Sequence, residues 1–450
     1  MFQCGIFQKT SSLAGKTVFS QSPEYRTQEA SYYNSENIDL KPGCRISPTS
    51  AADVSLIVKI ATNSGCKFAV RSGGHMNWKG SSNIGPTGFT MDMEMMTEIT
   101  LAPNRSTVSL GPGSNWGQVY QKLDPLNITA MGGRTSGVGV GGFFLGVVLA
   151  DGSIVNANQH LNPDLYIALK YGSTNYGIVT RFDVSAFELG QIWGGSLFYN
   201  VSDGFGLLES LVDFSNQLAK DPKGLSAVSF AWSSAAQEYI IWSANVYLLP
   251  VAFPTPLFTA ISKFTPTSST MRFTTQQSVT DEVEKLFGSG TRVRWFSLTL
   301  KIDPQIMFDI YTKGSEIFAP LQNKPGFSAA FTIQPISKTM VAASTRNGGN
   351  LFGMTTANGN LLLLLAALFW TDPADDAIFN DTFQQFTVWA QHEAATRGFL
   401  TPFIYMNYAL GSQDVMGSIG SQNESKMRKI KGTYDPHDLF GKYWVGGYKL

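Results

Sequence analysis

The sequence predicts a β-rich globular fold with two or three domains' worth of chain, on three observations. Its 450 residues are enough to bury a large core. Its 44 glycines and 31 phenylalanines are high for that length and imply many turns around an aromatic-lined interior. Apolar residues at 43% against 15% charged are the proportions of an ordinary globular protein, slightly poor in charge. Lys+Arg and Asp+Glu balance at 33 each, so neither nucleic acid nor an anionic membrane is an expected partner. The longest apolar run, Leu361 to Trp370, is too short to span a bilayer and reads as a buried strand.

The chain is read in order from its N-terminus. Residues 1–40 are polar and unpatterned, and are expected as an arm across the surface. Thr49 or Ser50 caps a helix that aligns Val54, Ile57, Val58 and Ala61 on one face, and Gly65 stops it. Residues 67–71 form a strand, followed by a glycine turn ending in His75. Phe89 to Met93 alternates as a strand, and Ile99 to Leu110 forms a hairpin about Pro103-Asn104-Arg105. Ser114 is the expected cap of a short helix through Leu123. Residues 131–146 carry seven glycines, a density that cannot hold a helix and permits close backbone approach to a ligand. Within them, 137–146 is interleaved with valine and phenylalanine, as expected of a buried, strand-like cofactor contact. Asn162-Pro163 opens another helix, and Tyr176 to Val184 is a strand.

Beyond residue 190 the segments lengthen, which marks a second domain to about residue 400. The last fifty residues return to motif-like texture at Tyr405-Met406-Asn407-Tyr408 and Tyr434-Asp435-Pro436. Aspartate before proline makes a turn suited to docking the C-terminus. Lys426, Arg428, Lys429 and Lys431 alternate with Met427 and Ile430 as a solvated helix face.

The chemistry is densest at Arg71-Ser72-Gly73-Gly74-His75. A glycine turn after a strand, preceded by arginine, can cradle a phosphate on backbone N–H groups and hold the histidine against the molecule that carries it. His160, His392 and His437 lack such company and read as surface or capping residues. Cys4, Cys44 and Cys66 have no metal-ligand spacing; they are either three buried thiols or one disulfide and a thiol. Asn104, Asn127, Asn200, Asn380 and Asn423 each begin a glycosylation sequon, a number of matches that chance also supplies. Met1-Phe2-Gln3-Cys4-Gly5 shows no positive region before a long apolar core, so no secretory signal is read there.

Together these pieces resemble the berberine bridge enzyme-like FAD-linked oxidoreductases of fungal secondary metabolism, whose FAD domain is of the p-cresol methylhydroxylase type. The resemblance runs in order through Ser47-Pro48-Thr49-Ser50, Arg71 to His75, Gly132-Gly133-Arg134 and Val138-Gly139-Val140-Gly141-Gly142. It continues through Val148 to Gly152, Asn162 to Leu165, Ala168 to Lys170 and Asn175 to Thr180. It closes with Tyr405 to Tyr408, Tyr434 to Pro436 and Gly446-Gly447.

The resemblance implies an α+β fold: a two-subdomain FAD-binding domain at 41–189, an antiparallel-sheet substrate domain at 190–400, and a segment at 401–450 that returns to the FAD domain. It implies FAD as cofactor, held by Arg71, Ser72, Gly73, Gly74, His75, Gly132, Gly133, Val138, Gly139, Gly142, Gly177, Ile178 and Val179. His75 matches the family's histidine that bonds to the flavin 8α-methyl. Thr135 stands where some relatives place a second, cysteine tether, so one bond is expected. Val138 matches the position controlling oxygen access, where valine goes with oxidase behaviour. Tyr405 and Tyr408 match the catalytic segment, with Tyr408 as the base that takes a substrate hydroxyl proton; a strand-like Tyr-x-Asn-Tyr would put Asn407 and Tyr408 on opposite faces.

The implied activity is oxidation of an alcohol or related small metabolite, with electrons passed to oxygen. An oxidative cyclase and a flavin-free, inactive paralogue are the alternatives. The latter follows from one departure. Relatives carry a further glycine loop and covering segment where Gly146 here runs directly into Val147. Relatives are often secreted, which leaves the localisation open.

Overall fold

Three β-sheets organise the chain, and the helices between their strands cover them. The computed structural model describes residues 4–141, 145–253, 255–286 and 290–450; Gly142 lies outside the described residues.

The first sheet has the order β1-β2-β4-β3, from β1 (Thr17–Val18), β2 (Cys44–Ile46), β3 (Phe68–Arg71) and β4 (Phe89–Asp92). Its β2, β4 and β3 are parallel, as helical crossovers allow. The helix Ala51–Ser64 starts where Ser50 accepts from the Asp53 N–H and ends where Gly65 turns left-handed at φ 66°. Its Val54, Ile57, Val58 and Ala61 are fully buried against the sheet.

The expected N-terminal arm is instead part of this core. Cys4 is disulfide-bonded to Cys44, and buried Cys66 stays outside that bridge. Phe7 meets Phe89 edge-on at 4.8 Å, and Tyr25, Tyr32 and Tyr33 are buried. The segment read as polar because its polar groups are satisfied internally. Glu29, from the helix Pro23–Ala30, pairs with wholly buried Arg45. Arg45 also binds Asp92 and reaches Gln28 Oε1 at 3.0 Å. Burial pushes the Glu29 carboxyl up, and the Arg45 guanidinium opposes that.

The second sheet is antiparallel: β5 (Ile99–Leu101), β6 (Thr107–Leu110), β7 (Ile128–Ala130), β8 (Leu145–Val148), β9 (Ile154–Asn156) and β10 (Ile178–Glu188), ordered β5-β6-β10-β8-β9, with β7 also on β10. The β8–β10 register breaks between Val179 and Arg181, facing Val147 and Gly146. The helix Trp116–Leu123 is capped by Asn115 rather than Ser114, through a reciprocal pair of bonds with Gln118. Ser114 is committed elsewhere, fully buried with its carbonyl accepting from the Val140 N–H. Residues 131–141 form turns and bends, with one isolated bridge between Asn115 and Gly139 in place of the expected strand.

The third sheet has β11 (Ile192–Tyr199), β12 (Gly224–Ser233), β13 (Glu238–Tyr247), β14 (Ser268–Ser269), β15 (Arg272–Thr274), β16 (Arg292–Lys301), β17 (Ser328–Ile336) and β18 (Leu361–Trp370). Its order is β14-β11-β13-β12-β17-β18-β16, with β15 beside β11, all antiparallel. Strand period two sorts the faces. Phe296, Leu298, Phe331, Leu364 and Trp370 meet the helices Gly204–Gln217, Pro304–Phe318 and Asp376–Thr396. Trp295, Leu365 and Ala367 point the other way, towards Tyr33 and Tyr408.

The last segment returns to the first sheet. The Asp435 carboxylate accepts from the Leu439 and Phe440 N–H groups, the Val445 N–H reaches the Phe68 carbonyl at 2.8 Å, and the Trp444 ring stacks on Phe68. Met427 and Ile430 are buried under the helix Ser421–Tyr434, while Lys426, Arg428 and Lys429 face solvent. Among the described residues no helix is long and apolar enough to cross a membrane.

Arg45→Met leaves the buried Glu29 carboxylate without its cation and Asp92 with Arg71 alone. The expected cost is about 3–5 kcal/mol in urea unfolding; a loss below about 1 kcal/mol would show the network to be dispensable.

Candidate active site

β3 ends at Arg71 and releases a tight loop in which Gly74 takes φ 65°. Gly73 lies against Gly139: a Cβ on Gly73 would come within 2.7 Å of the Gly139 nitrogen, so the two glycine loops touch backbone to backbone. The N–H groups of Gly73, Gly74 and His75 donate to no protein acceptor among the described residues. Buried Ser114 Oγ likewise lacks a partner there. This row of free donors fits the pyrophosphate of FAD.

Arg71 itself plays a different part from the one expected. Its guanidinium binds Asp92 at 2.7 Å and Ser31 Oγ at 2.7 Å over the Tyr32 ring, so it fixes the base of the loop instead of facing a phosphate. Ser72 donates its hydroxyl to the Pro112 carbonyl.

His75 is half-buried, its ring stacked on Tyr33 at 3.9 Å and 16°. Burial pushes its imidazole down to about 4, against a hydrogen bond to its own backbone. Trp295 stands 5.8 Å from His75 and 6.0 Å from Tyr408. The sheet-borne indole therefore joins the loop histidine to the C-terminal tyrosines.

Tyr405 and Tyr408 are not in a strand. Tyr405 precedes a single 3₁₀ turn, Met406–Tyr408, and residues three apart eclipse in that geometry. Their rings accordingly meet edge-on at 4.9 Å. The Tyr408 hydroxyl oxygen accepts from Arg134 at 2.7 Å and from Gln334 at 3.1 Å. Burial and then the Tyr408 neighbour push the Tyr405 phenol up, while Asn407 donates to its oxygen at 3.1 Å.

The other residues named from the sequence make packing contacts. Gly132 and Gly133 lie against the Trp116 indole, where a Cβ would come within 2.1 and 2.5 Å of it. Val138 packs on the cluster around Trp116 and Phe182. Gly177 faces Val147, Ile178 is buried beneath the helix Ala51–Ser64, and Val179 bridges two clusters. The Gly137 N–H donates to Glu284 at 2.9 Å. Sequence reasoning passed over Tyr33, Trp295, Gln334 and the contact role of Arg134. Only Arg134 carried a signal, as the residue following Gly132-Gly133.

A family model described as an FAD binding domain matches residues 42–160. The FAD-dependent monooxygenase drtC of Aspergillus calidoustus is 31% identical over 476 residues, covering 100% of this chain and 90% of that one. That alignment exceeds the 450 residues of this chain, so parts of the relative have no counterpart here. Among solved structures, 6-hydroxy-D-nicotine oxidase from Arthrobacter nicotinovorans shares the fold at TM-score 0.77 and 18% identity, over 95% of this chain and 96% of its own. A berberine bridge enzyme variant in complex with (S)-reticuline matches at TM-score 0.75 and 13% identity, over 98% and 97%.

Gly73→Ala forces the two glycine loops apart; a loss of about 1–3 kcal/mol in thermal unfolding is expected. A second expectation concerns pH. The folded value of His75 lies below its unfolded value, so the unfolded chain takes up the proton first. Stability present above pH ~6.5 is lost as pH falls towards 4, by up to about 3 kcal/mol. Unfolding of flavin-free protein against its His75→Asn variant measures this, and parallel pH profiles would contradict it.

Proposed function

The chain belongs to the berberine bridge enzyme-like family of FAD-linked oxidoreductases, and on that premise we propose that it oxidises an alcohol or related small metabolite and passes the electrons to dioxygen. The observation that carries this reading is the approach of both His75 and Tyr408 to Trp295. FAD, when bound, supplies the hydride acceptor.

The protein's own groups account for the rest. The N–H row of Gly73, Gly74 and His75 binds the pyrophosphate, and uncharged His75 provides the ring nitrogen for a covalent bond to the 8α carbon. Tyr408 receives the proton from the substrate hydroxyl. The form that takes the proton is the ionised phenol oxygen, and the Arg134 and Gln334 donors on it stabilise that charge before the transfer. Tyr405, with its phenol pushed up by burial, stays protonated and serves as a donor at the same site. Val138 supports dioxygen as acceptor through the family resemblance.

The relative drtC is named a monooxygenase. The two outcomes differ in the fate of oxygen: an oxidase releases one hydrogen peroxide per product, whereas a monooxygenase places an atom of ¹⁸O₂ in the product.

The first test is the visible spectrum of the purified protein and of its acid-precipitated pellet. Flavin bands that stay with the pellet are expected, and a colourless protein would overturn the proposal. Tyr408→Phe is expected to retain flavin and to slow its reduction by the substrate about 10²–10⁴-fold. An unchanged rate would remove Tyr408 from the role of base.

A further inference from the structure

Tyr33 lies in a segment that the family reading leaves without a role, yet it makes the closest ring contact of His75, at 3.9 Å and nearly parallel. The two residues differ sharply in how they are held. The Tyr33 N–H donates to the Gly74 carbonyl at 3.1 Å, its carbonyl accepts from the Gly290 N–H at 3.0 Å, and its ring meets Trp295 edge-on at 5.4 Å. Asn34 beside it is fully buried, donates to the Asn77 carbonyl and bridges to Thr291. Tyr33 is thus fixed from three directions, with 5% of its surface exposed. His75 sits at the end of the glycine loop, where the Gly74 carbonyl is the acceptor of the Tyr33 N–H. Among the described residues no other side chain hydrogen-bonds its ring.

We propose that Tyr33 is the positioning residue for flavin attachment: its ring sets the plane of the His75 imidazole and so the direction in which the free ring nitrogen is presented to the cofactor. The proposal rests on the reading of His75 as the tether. Attachment replaces one C–H of the 8α carbon and the imidazole N–H by a C–N bond; the two protons and two electrons released end on dioxygen as hydrogen peroxide. Only an uncharged imidazole has the lone pair for this step. The flanking rings of Tyr33 and Trp295 favour that state, consistent with the low value of His75. A freely turning imidazole would sample the bonding direction rarely, since orientation of the reacting group governs such steps.

The test compares wild type, Tyr33→Phe, Tyr33→Leu and His75→Ala by two readouts: total flavin per protein, and the share that stays with the acid-precipitated pellet. Tyr33→Phe keeps the stacking ring and is expected to match wild type. Tyr33→Leu is expected to keep its melting transition and its total flavin while the acid-stable share falls at least fivefold. Equal acid-stable shares in Tyr33→Leu and wild type would overturn the proposal. If Tyr33→Leu fails to fold, Tyr33→Met, which has no ring to stack, is judged by the same criterion. Acid-labile flavin in wild type itself would overturn the tether, and the positioning role with it; that failure appears before any variant is compared.

Discussion

The Asp92 carboxylate, wholly buried at the end of β4, accepts from both Arg45 and Arg71. Much of the candidate site depends on this shared acceptor. Arg45 ties it to Glu29 and the N-terminal helix, and Arg71 ties it to Ser31 and the start of the histidine loop. Two cations and two carboxylates offset each other inside the protein, where any one alone would be costly. The glycine loop is therefore anchored at its root, which suits a segment that must receive a large anion without losing register.

The rest of the site is assembled from distant parts of the chain. Tyr33 and His75 come from the first hundred residues, Arg134 from the glycine-rich stretch, Trp295 and Gln334 from the large sheet, and Tyr408 from the returning segment. The sheet supplies its share through period two alone. β16 gives Phe296 and Leu298 to the helices, which leaves Trp295 for the opposite face.

What the sequence disclosed followed from how local each cause was. The helix Ala51–Ser64 was legible because its cap, its apolar stripe and its terminating glycine lie within sixteen residues. The hairpin at Pro103 and the strand at Leu361 were legible for similar reasons. The first forty residues were misread because composition cannot tell a polar group facing water from one paired inside, as with Asn34 and Glu29. Residues 137–141 were misread as strand-like because their conformation answers to a partner elsewhere, the Gly73 backbone against Gly139. The histidine and the two tyrosines were recoverable through family resemblance. Trp295 and Gln334 were not, since nothing in their neighbourhood departs from an ordinary strand.

The bond from the Val445 N–H to Phe68 has a consequence for how the protein is made. Phe68 begins the strand that ends at the histidine loop, yet its parallel neighbour on one side, Trp444, comes from the returning segment, far later in the chain. A nascent chain can form the helix Ala51–Ser64 early, but it must hold an incomplete first sheet until the returning segment has been made. The unfinished sheet edge must be kept from other chains in the meantime.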